Sequence, residues 1–294
     1  MRILILGVSG LIGHNILKEF NDNMDVFGTL HKAKKKYGNL NLFSGKNIIE
    51  NVDVKDFENL KSILFSVNPE IIFNCVGITK RKIDKTNPLE VIQVNSFFPH
   101  QLAEWAKDNN KRVIHFSTDC VFSGSEGSYL EDATPDALDY YGKTKGLGEV
   151  NSKSSLTIRS SMIGPELFNK TELFEWIINN KEKEINGFSR VMYSGVTTIY
   201  MARLLSDLIV NHKNLDGIYN VASKPISKFE LLHLINDNFD LGLIINDNKT
   251  VISNKTLNAS KIEKVIGLQP PSWDELIIEL KKDYMNFIDL YKTI

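Results

Sequence analysis

MRILILGVSGLIG (Met1–Gly13) carries a strand, a turn and the start of a helix. RILIL, Arg2 to Leu6, is a short continuous apolar run, the pattern of a strand buried on both faces. GVSGLIG places glycines at 7, 10 and 13, and LIGHNILKEF (Leu11 to Phe20) repeats apolar residues at helical spacing. Glycine lets a backbone turn sharply and approach a pyrophosphate, whose charge then sits on the helix N-terminus. A GxxGxxG pattern alone is common by chance, and a tight turn with no ligand is the competing reading. Here the strand before and the amphipathic helix after it favour a dinucleotide site. Its backbone would be Gly7, Ser9, Gly10, Leu11, Ile12 and Gly13.

Outward from this turn, strand-like and helix-like stretches alternate. DVFGTL (25–30), ENVDV (50–54, the end of a third strand), EIIFNCVG (70–77), RVIHFST (112–118) and LTIRSS (156–161) read as strands. FENLKSILFSV (57–67), a long helix over 88–109 with Pro88 near its start, and the stretch from YGKTK onward read as helices. This order predicts a parallel sheet wrapped by helices, with ligands at the carboxyl ends of the strands. The fold class is therefore α/β: a Rossmann-like doubly wound parallel sheet with a smaller mixed α/β substrate-binding lobe. Residues 1–160 form the dinucleotide-binding domain, and a strand near 217–223 returns to its sheet. Residues 161–294 are mainly the substrate lobe, with helices over 173–180, 197–212, 228–239 and 273–291. His31 to Asn47, basic and then Gly/Asn-rich, predicts a mobile surface loop.

A chain of 294 residues, 42% hydrophobic, can build a large core or two lobes sharing a cleft. A net charge of -1 lacks the basic balance of a nucleic-acid binder. No apolar run is long enough for a bilayer, and MRILILG leads into the glycine turn, not a signal-peptide cleavage site. Cys75 and Cys120 lack CxxC spacing, and the histidines are scattered. The expectation is a reduced cytoplasmic protein with no metal site, no nucleic-acid partner and no membrane partner. His14, His100, His115, His212 and His233 are read as surface or packing residues.

The end of the second strand bears on the cofactor. NAD sites usually place an acid there, on the ribose hydroxyls. This chain has GTLHKAKKK (Gly28–Lys36), with no acid. As a set, His31 and Lys32, with Lys34, suggest a 2′-phosphate and so NADPH, with NADH as the alternative. Each lysine taken singly is better read as a solvated charge. Asp53 and Val54 would flank the adenine.

STDCVFSG (Ser117–Gly124) closes the fifth strand, and Tyr141-Gly-Lys-Thr-Lys145 follows about twenty residues later. On a helix, Tyr141 and Lys145 share a face one turn apart. Reducing a ketone needs a hydride on carbon and a proton on oxygen. A phenol with a pKa near ~10 is a poor acid-base group at neutral pH unless a cation lowers it. Lys145 can supply that charge and hold a ribose, while Thr118 can hydrogen-bond the same carbonyl oxygen. Tyr140 is then packing or lip, and Lys143 points elsewhere.

GVSGLIG, STDCVFSG and YGKTK together resemble the extended short-chain dehydrogenase/reductases. Within them the chain is most similar to dTDP-4-dehydrorhamnose reductases and related nucleotide-sugar 4-ketoreductases. TIRSSMIGPE (157–166) and LNASKIEKVIG (257–267) extend the resemblance over nearly the whole chain. It implies Tyr141 as proton donor, Lys145 as its tuner and ribose ligand, and Thr118 as carbonyl donor. It implies Ser117 and Asn74, Cys75, Val76 and Gly77 beside the cofactor. Thr79, Asn95, Asp119, Cys120, Val121, Phe122, Met162 and Tyr193 would stand beside the sugar. Two departures matter. Cys120 stands where dehydratases of this group carry an acid and reductases an aromatic residue, and Met162 replaces a common Trp, so the sugar platform is thinner. The resemblance implies reduction of a nucleotide-linked 4-keto-6-deoxy sugar for surface polysaccharide synthesis, in a chain that could form a homodimer. Two alternatives stand beside it: an epimerase or epimerase/reductase, and a non-catalytic NADP-binding subunit like the regulatory subunit of methionine adenosyltransferase.

Overall fold

The structure, a computed structural model, describes residues 1–20, 24–38, 40–267 and 269–292. Six strands follow one another: β1 (Arg2–Leu6), β2 (Asp25–Thr29), β3 (Ile48–Ile49), β4 (Ile71–Asn74), β5 (Arg112–Ser117) and β6 (Ser155–Arg159). With the returning strand Gly217–Asn220 they form one parallel sheet. Its order is Gly217–Asn220, β6, β5, β4, β1, β2, β3. The order reverses between β1 and β4, so the switch point lies beside the glycine turn, where such sheets bind ligands. Leu6 pairs with both Thr29 and Asn74, so three strands end level there.

Alternation along β1 explains the two core layers. Ile3 and Ile5 join Ile16, Phe20, Leu205 and Leu208 on one face. Leu4 and Leu6 join Leu60, Leu64, Phe98 and Leu102 on the other. The first layer is covered by α1 (Gly13–Phe20), the second by α2 (Phe57–Val67). Three further segments complete the second side: α3 (Pro88–Ile92), a π-helical turn (Gln93–Phe97) and α4 (Phe98–Asp108). The helix α5 (Tyr140–Leu147) is short and carries Tyr141 and Lys145.

The smaller lobe has its own core of Phe174, Ile177, Leu231, Ile235, Leu276 and Leu280. It contains α6 (Leu173–Ile178), α7 (Thr198–Asn211), whose far face covers the main sheet, and α8 (Lys228–Phe239). Short strands complete it, among them Val191–Tyr193 paired with Ile226–Ser227.

Several expectations shift. The third strand is Ile48–Ile49, because Gly28 and Thr29 offer pairing only there, and ENVDV lies beyond it. The stretch expected as a surface loop over 31–47 is mostly exposed but carries two 3-10 turns, Lys34–Tyr37 and Asn41–Phe43, and buries Leu40 and Phe43. Phe43 stacks on Phe168 and Tyr37 meets both rings edge-on, an aromatic cluster that the charge run hides from a periodicity reading. Asn39 of that loop lies outside the described residues. The helix over 88–109 contains the π-turn, and the C-terminal helix breaks at Phe287 into Trp273–Asn286 and Ile288–Lys292. No described helix is long and apolar enough to cross a membrane.

Candidate active site

The glycine turn is built from glycines of two kinds. Gly7 has φ +84°, a left-handed conformation that favours glycine. A Cβ on Gly13 would run into the Gly7 carbonyl oxygen. The chain itself therefore demands both. Gly10 differs: a Cβ there would meet only Gly7 O at 3.4 Å and Cys75 O at 3.7 Å. Its lack of a side chain leaves room for something outside the protein. The amides of Leu11, Ile12 and Gly13 have no backbone partner in the described structure. Open space over unpartnered N–H groups at a helix start fits a pyrophosphate. Ile12 itself turns into the core.

At the next strand end, His31 and Lys32 are exposed. Lys34 is tied down, its Nζ donating to the Gly45 carbonyl at 3.2 Å and its backbone N–H to Glu50 at 2.6 Å. Glu50 therefore brings an acid to this edge from β3, which the second strand alone did not reveal. Asp53 accepts from the Lys55 amide, and Val54 is buried in the second core layer.

The segment after β4 is held by side chains from three directions. Asn74 bonds His115 across the strands at 3.1 Å. Asn95, in the π-turn, accepts from Ile78 N–H at 2.8 Å and donates to Ile78 C=O at 2.9 Å. Lys80 pairs with Asp139, the N-cap of α5, at 2.7 Å. Gly77 is exposed with only Asn95 near its Cβ position, and Cys75 and Val76 are half-buried beside the turn. Burial pushes the Cys75 thiol up, which makes it unreactive. A π-turn places one extra residue in a helical turn, and such turns are frequent at functional sites. Here it also seats α5: Ser96 Oγ donates to the Thr144 carbonyl at 2.8 Å, and a Cβ on Gly148 would strike the Asn95 carbonyl.

At the end of β5 the three expected catalytic side chains converge. Lys145 is buried and donates to the Phe116 carbonyl at 2.7 Å. Desolvation pushes its ammonium down to about 8, against the pull of Glu149. Thr118 donates to Asp119 at 3.0 Å and accepts from the Cys120 amide at 3.1 Å. Burial first, then Cys120, Asp119 and Glu172, push the Tyr141 phenol up, and the Thr118 hydroxyl opposes them. The cation effect expected from Lys145 is not what sets this phenol: in this state it is held protonated. Tyr140 binds the Pro88 carbonyl through its hydroxyl, and Lys143 is exposed, as their spacing implies.

Other expected residues divide. Ser117 donates to Glu149 at 2.6 Å, beneath the site. Val121 and Phe122 are fully buried, and Phe122 stacks on Tyr129 at 4.0 Å. They support the site from the core and do not line it, because the 3-10 turn Asp119–Val121 directs them inward. Thr79 and Met162 are half-buried. Asp119 is buried with its carboxyl pushed up by desolvation. Desolvation also pushes the Cys120 thiol up to about 12, with Asp119 adding to it. Tyr193 is buried and turns its ring to the Lys228 ammonium, 4.0 Å from the centroid. Sequence reasoning missed Lys228, Arg81, Glu172 and the Glu149–Arg159 pair. Only Lys228 left a signal. It follows the N-cap Ser227 of α8, a position the helix dipole disfavours for a cation.

Sheet order, switch-point glycine turn and the Tyr141–Lys145 helix define a Rossmann-type nucleotide-binding α/β protein. More particularly, the chain belongs to the RmlD substrate binding domain family, whose model matches residues 1–167. Two relatives show similar identity. Methionine adenosyltransferase 2 subunit beta of Xenopus tropicalis is 26% identical, over 92% of this chain and 84% of the relative. A dTDP-4-dehydrorhamnose reductase of Aggregatibacter actinomycetemcomitans is 25% identical, over 95% and 98%. A dTDP-4-dehydrorhamnose reductase of Bacillus anthracis, solved in complex with NADP, superposes with a TM-score of 0.78. Its identity is 21%, covering 96% of this chain and 99% of that one.

Proposed function

We propose that this chain is an NAD(P)H-dependent reductase of a nucleotide-linked 4-keto-6-deoxy sugar, feeding surface polysaccharide synthesis. The convergence of Thr118, Tyr141 and Lys145 beside the glycine turn carries this reading. Leu11, Ile12 and Gly13 would hold the pyrophosphate, with Lys145 on the nicotinamide ribose and His31 and Lys32 toward a 2′-phosphate. When bound, the nicotinamide supplies the hydride that reaches the carbonyl carbon. Tyr141, kept protonated by its surroundings, gives its proton to the carbonyl oxygen. Thr118 turns its hydroxyl from Asp119 to that oxygen, and the Lys145 charge offsets the phenolate left behind. Cys120 offers no acid for dehydration, its thiol being held far above neutral pH.

The test is direct. Purified protein given a dTDP- or UDP-linked 4-keto-6-deoxy sugar should oxidise NADPH. Tyr141→Phe should abolish turnover while cofactor still binds, and full activity in that variant would overturn the mechanism. Comparing NADPH with NADH binding in wild type and Lys32→Ala tests the 2′-phosphate. Exchange of solvent deuterium into C3 or C5 without net reduction would point to an epimerase instead.

A second reading follows from the similarity to methionine adenosyltransferase 2 subunit beta. It makes the chain a non-catalytic subunit. Tight NADPH binding with no turnover across keto sugars would favour it. Two free cysteines fit a reducing, cytoplasmic compartment. A homodimer is proposed through the apolar surface of Leu89, Ile92, Phe97 and Leu147 around α3 to α5. Sedimentation of wild type against Phe97→Glu tests it.

A further inference from the structure

Two peptide groups of the glycine turn are held by side chains one turn further along α1. His14 is wholly buried and donates through Nδ1 to the Gly10 carbonyl at 2.8 Å, which also accepts the His14 amide at 3.2 Å. Asn15, equally buried, donates through Nδ2 to the Leu11 carbonyl at 2.9 Å. Those two carbonyls share their peptide planes with the N–H groups of Leu11 and Ile12, which have no backbone partner in the described structure. Fixing the oxygen of a planar peptide fixes where its N–H points. Polarising that oxygen also strengthens the N–H as a donor. Asn15 leaves its own Oδ1 buried without a partner, a cost that an apolar side chain would avoid.

The His14 ring is set in turn from the far end of the chain. A carbonyl only accepts, so Nδ1 carries the proton and Nε2 of the neutral ring is an acceptor. Burial keeps the ring neutral. Nε2 meets Asn15 Nδ2 at 3.0 Å and the Tyr291 hydroxyl at 3.4 Å. Tyr291, on the helix Ile288–Lys292, is buried with its ring edge-on to the imidazole. Its oxygen accepts from Lys18 Nζ at 3.2 Å, which leaves its own proton for Nε2. Lys18 is anchored by Asp283 of the helix Trp273–Asn286, at 2.7 and 2.8 Å. Every link runs one way: ammonium to phenol, phenol to imidazole, imidazole to the Gly10 carbonyl.

We propose that Tyr291, acting through His14, fixes the Gly10–Leu11 peptide of the cofactor turn. The inference rests on the reading of that turn as the pyrophosphate site. It adds a positioning role for a helix 277 positions away in sequence. Neither side chain touches the cofactor; both act on the amide that would. A flip of the Gly10–Leu11 peptide would turn its N–H away from the phosphate and break both bonds to the Gly10 oxygen. The relay therefore makes the binding orientation the resting one, before any cofactor arrives.

The experiment is equilibrium titration of the full chain with NADPH, alongside hydrogen exchange in the cofactor-free protein. Tyr291→Phe removes one oxygen and keeps the ring stacked on Tyr284. It should weaken NADPH binding about two- to tenfold, the scale of one neutral hydrogen bond. His14→Leu should cost at least as much. His14→Asn keeps a donor for the Gly10 carbonyl and is too short for Tyr291, so it should recover most of that loss. In the His14→Leu background, Tyr291→Phe should add nothing. The Gly10 and His14 amides, bonded to the Gly7 and Gly10 carbonyls, should exchange several-fold faster in Tyr291→Phe. A merely structural role for the hydroxyl would lower the unfolding midpoint without this coupling to His14. Equal NADPH affinity in wild type and Tyr291→Phe would overturn the relay, and so would full additivity with His14→Leu. If wild type itself binds no NADPH, the cofactor reading fails instead. Faster exchange in Tyr291→Phe then still upholds the relay, and unchanged exchange overturns it.

Discussion

Arg159 and Glu149 meet as a two-pronged ion pair beneath the candidate site. Nε donates to Oε1 and Nη2 to Oε2, each at 2.7 Å, with both side chains almost wholly removed from solvent. The same Oε1 accepts the Ser117 hydroxyl at 2.6 Å. Arg159 also reaches the Glu131 carbonyl at 3.1 Å and lies over Phe122, 5.1 Å from its centroid. The pair therefore ties the end of β6 to the residue before Thr118 and to the chain just past α5. It holds the residue before Thr118, whose hydroxyl is the one proposed to meet the substrate carbonyl.

Such a pair is worth little against an apolar replacement, but breaking it strands a buried charge. Glu149→Gln and Arg159→Met should each destabilise the protein by about 3–5 kcal/mol, read from urea unfolding. The double variant should cost less than the sum, because neither charge is then left alone. Additive losses would show that the two side chains do not act as a pair.

Asn95 makes a sharper case, since its amide satisfies both backbone groups of Ile78. Asn95→Ala should cost about 1–3 kcal/mol for the two groups left unpaired. It should also raise the KM for cofactor more than it lowers kcat, because Gly77 and Ile78 border the turn. Asn95→Asp keeps the acceptor for Ile78 N–H and loses the donor, so it should fall between. A kcat loss with cofactor KM unchanged would place Asn95 at the sugar instead.

The sequence showed the sheet clearly because its signals are local. β1 is a continuous apolar run, α1 and α2 repeat apolar residues at helical spacing, and the glycine turn punctuates them. Thr118, Tyr141 and Lys145 are equally local in their signal, being fixed by a strand end and one helical turn. The third strand is not, since two residues at a sheet edge leave no periodicity and only pairing with Gly28 and Thr29 identifies them. The resemblance puts Val121 and Phe122 beside the sugar, whereas a 3-10 turn sends them to the core. Lys228 and Tyr193 sit on different elements of the smaller lobe, and only folding brings the ammonium over the ring.

Two buried histidines set the acid response. His14 donates through Nδ1 to the Gly10 carbonyl at 2.8 Å, and burial pushes it down to about 3. His115, beside Asn74, is also pushed well below the usual histidine range, by burial first and then by Lys145. Both are neutral in the folded chain near pH 5, while unfolded histidine takes up a proton below about 6.5. The unfolded state therefore binds more protons, and stability falls as pH drops from about 6.5. Each histidine should cost up to about 1.4 kcal/mol per pH unit below that point. The loss attached to His14 should end near pH 3. His14→Gln and His115→Gln should each flatten the slope of stability between pH 6.5 and 5. Parallel slopes in wild type and variants would show that other groups govern it.

Gly13 and Gly10 of the turn should separate under substitution. Gly13→Ala drives a methyl into the Gly7 carbonyl, so it should destabilise the protein by about 1–3 kcal/mol or more. Gly10→Ala meets ordinary contacts at 3.4 and 3.7 Å and lies outside the left-handed region, so its unfolding midpoint should hardly move. The added methyl would stand where a pyrophosphate approaches Leu11 and Ile12. NADPH binding by Gly10→Ala should therefore weaken by on the order of tenfold or more, as for one displaced charge-assisted hydrogen bond. Fluorescence titration of a variant with wild-type stability checks this directly. Unchanged NADPH affinity would mean that the space above Gly10 is not the cofactor's, and that the glycine serves the turn alone.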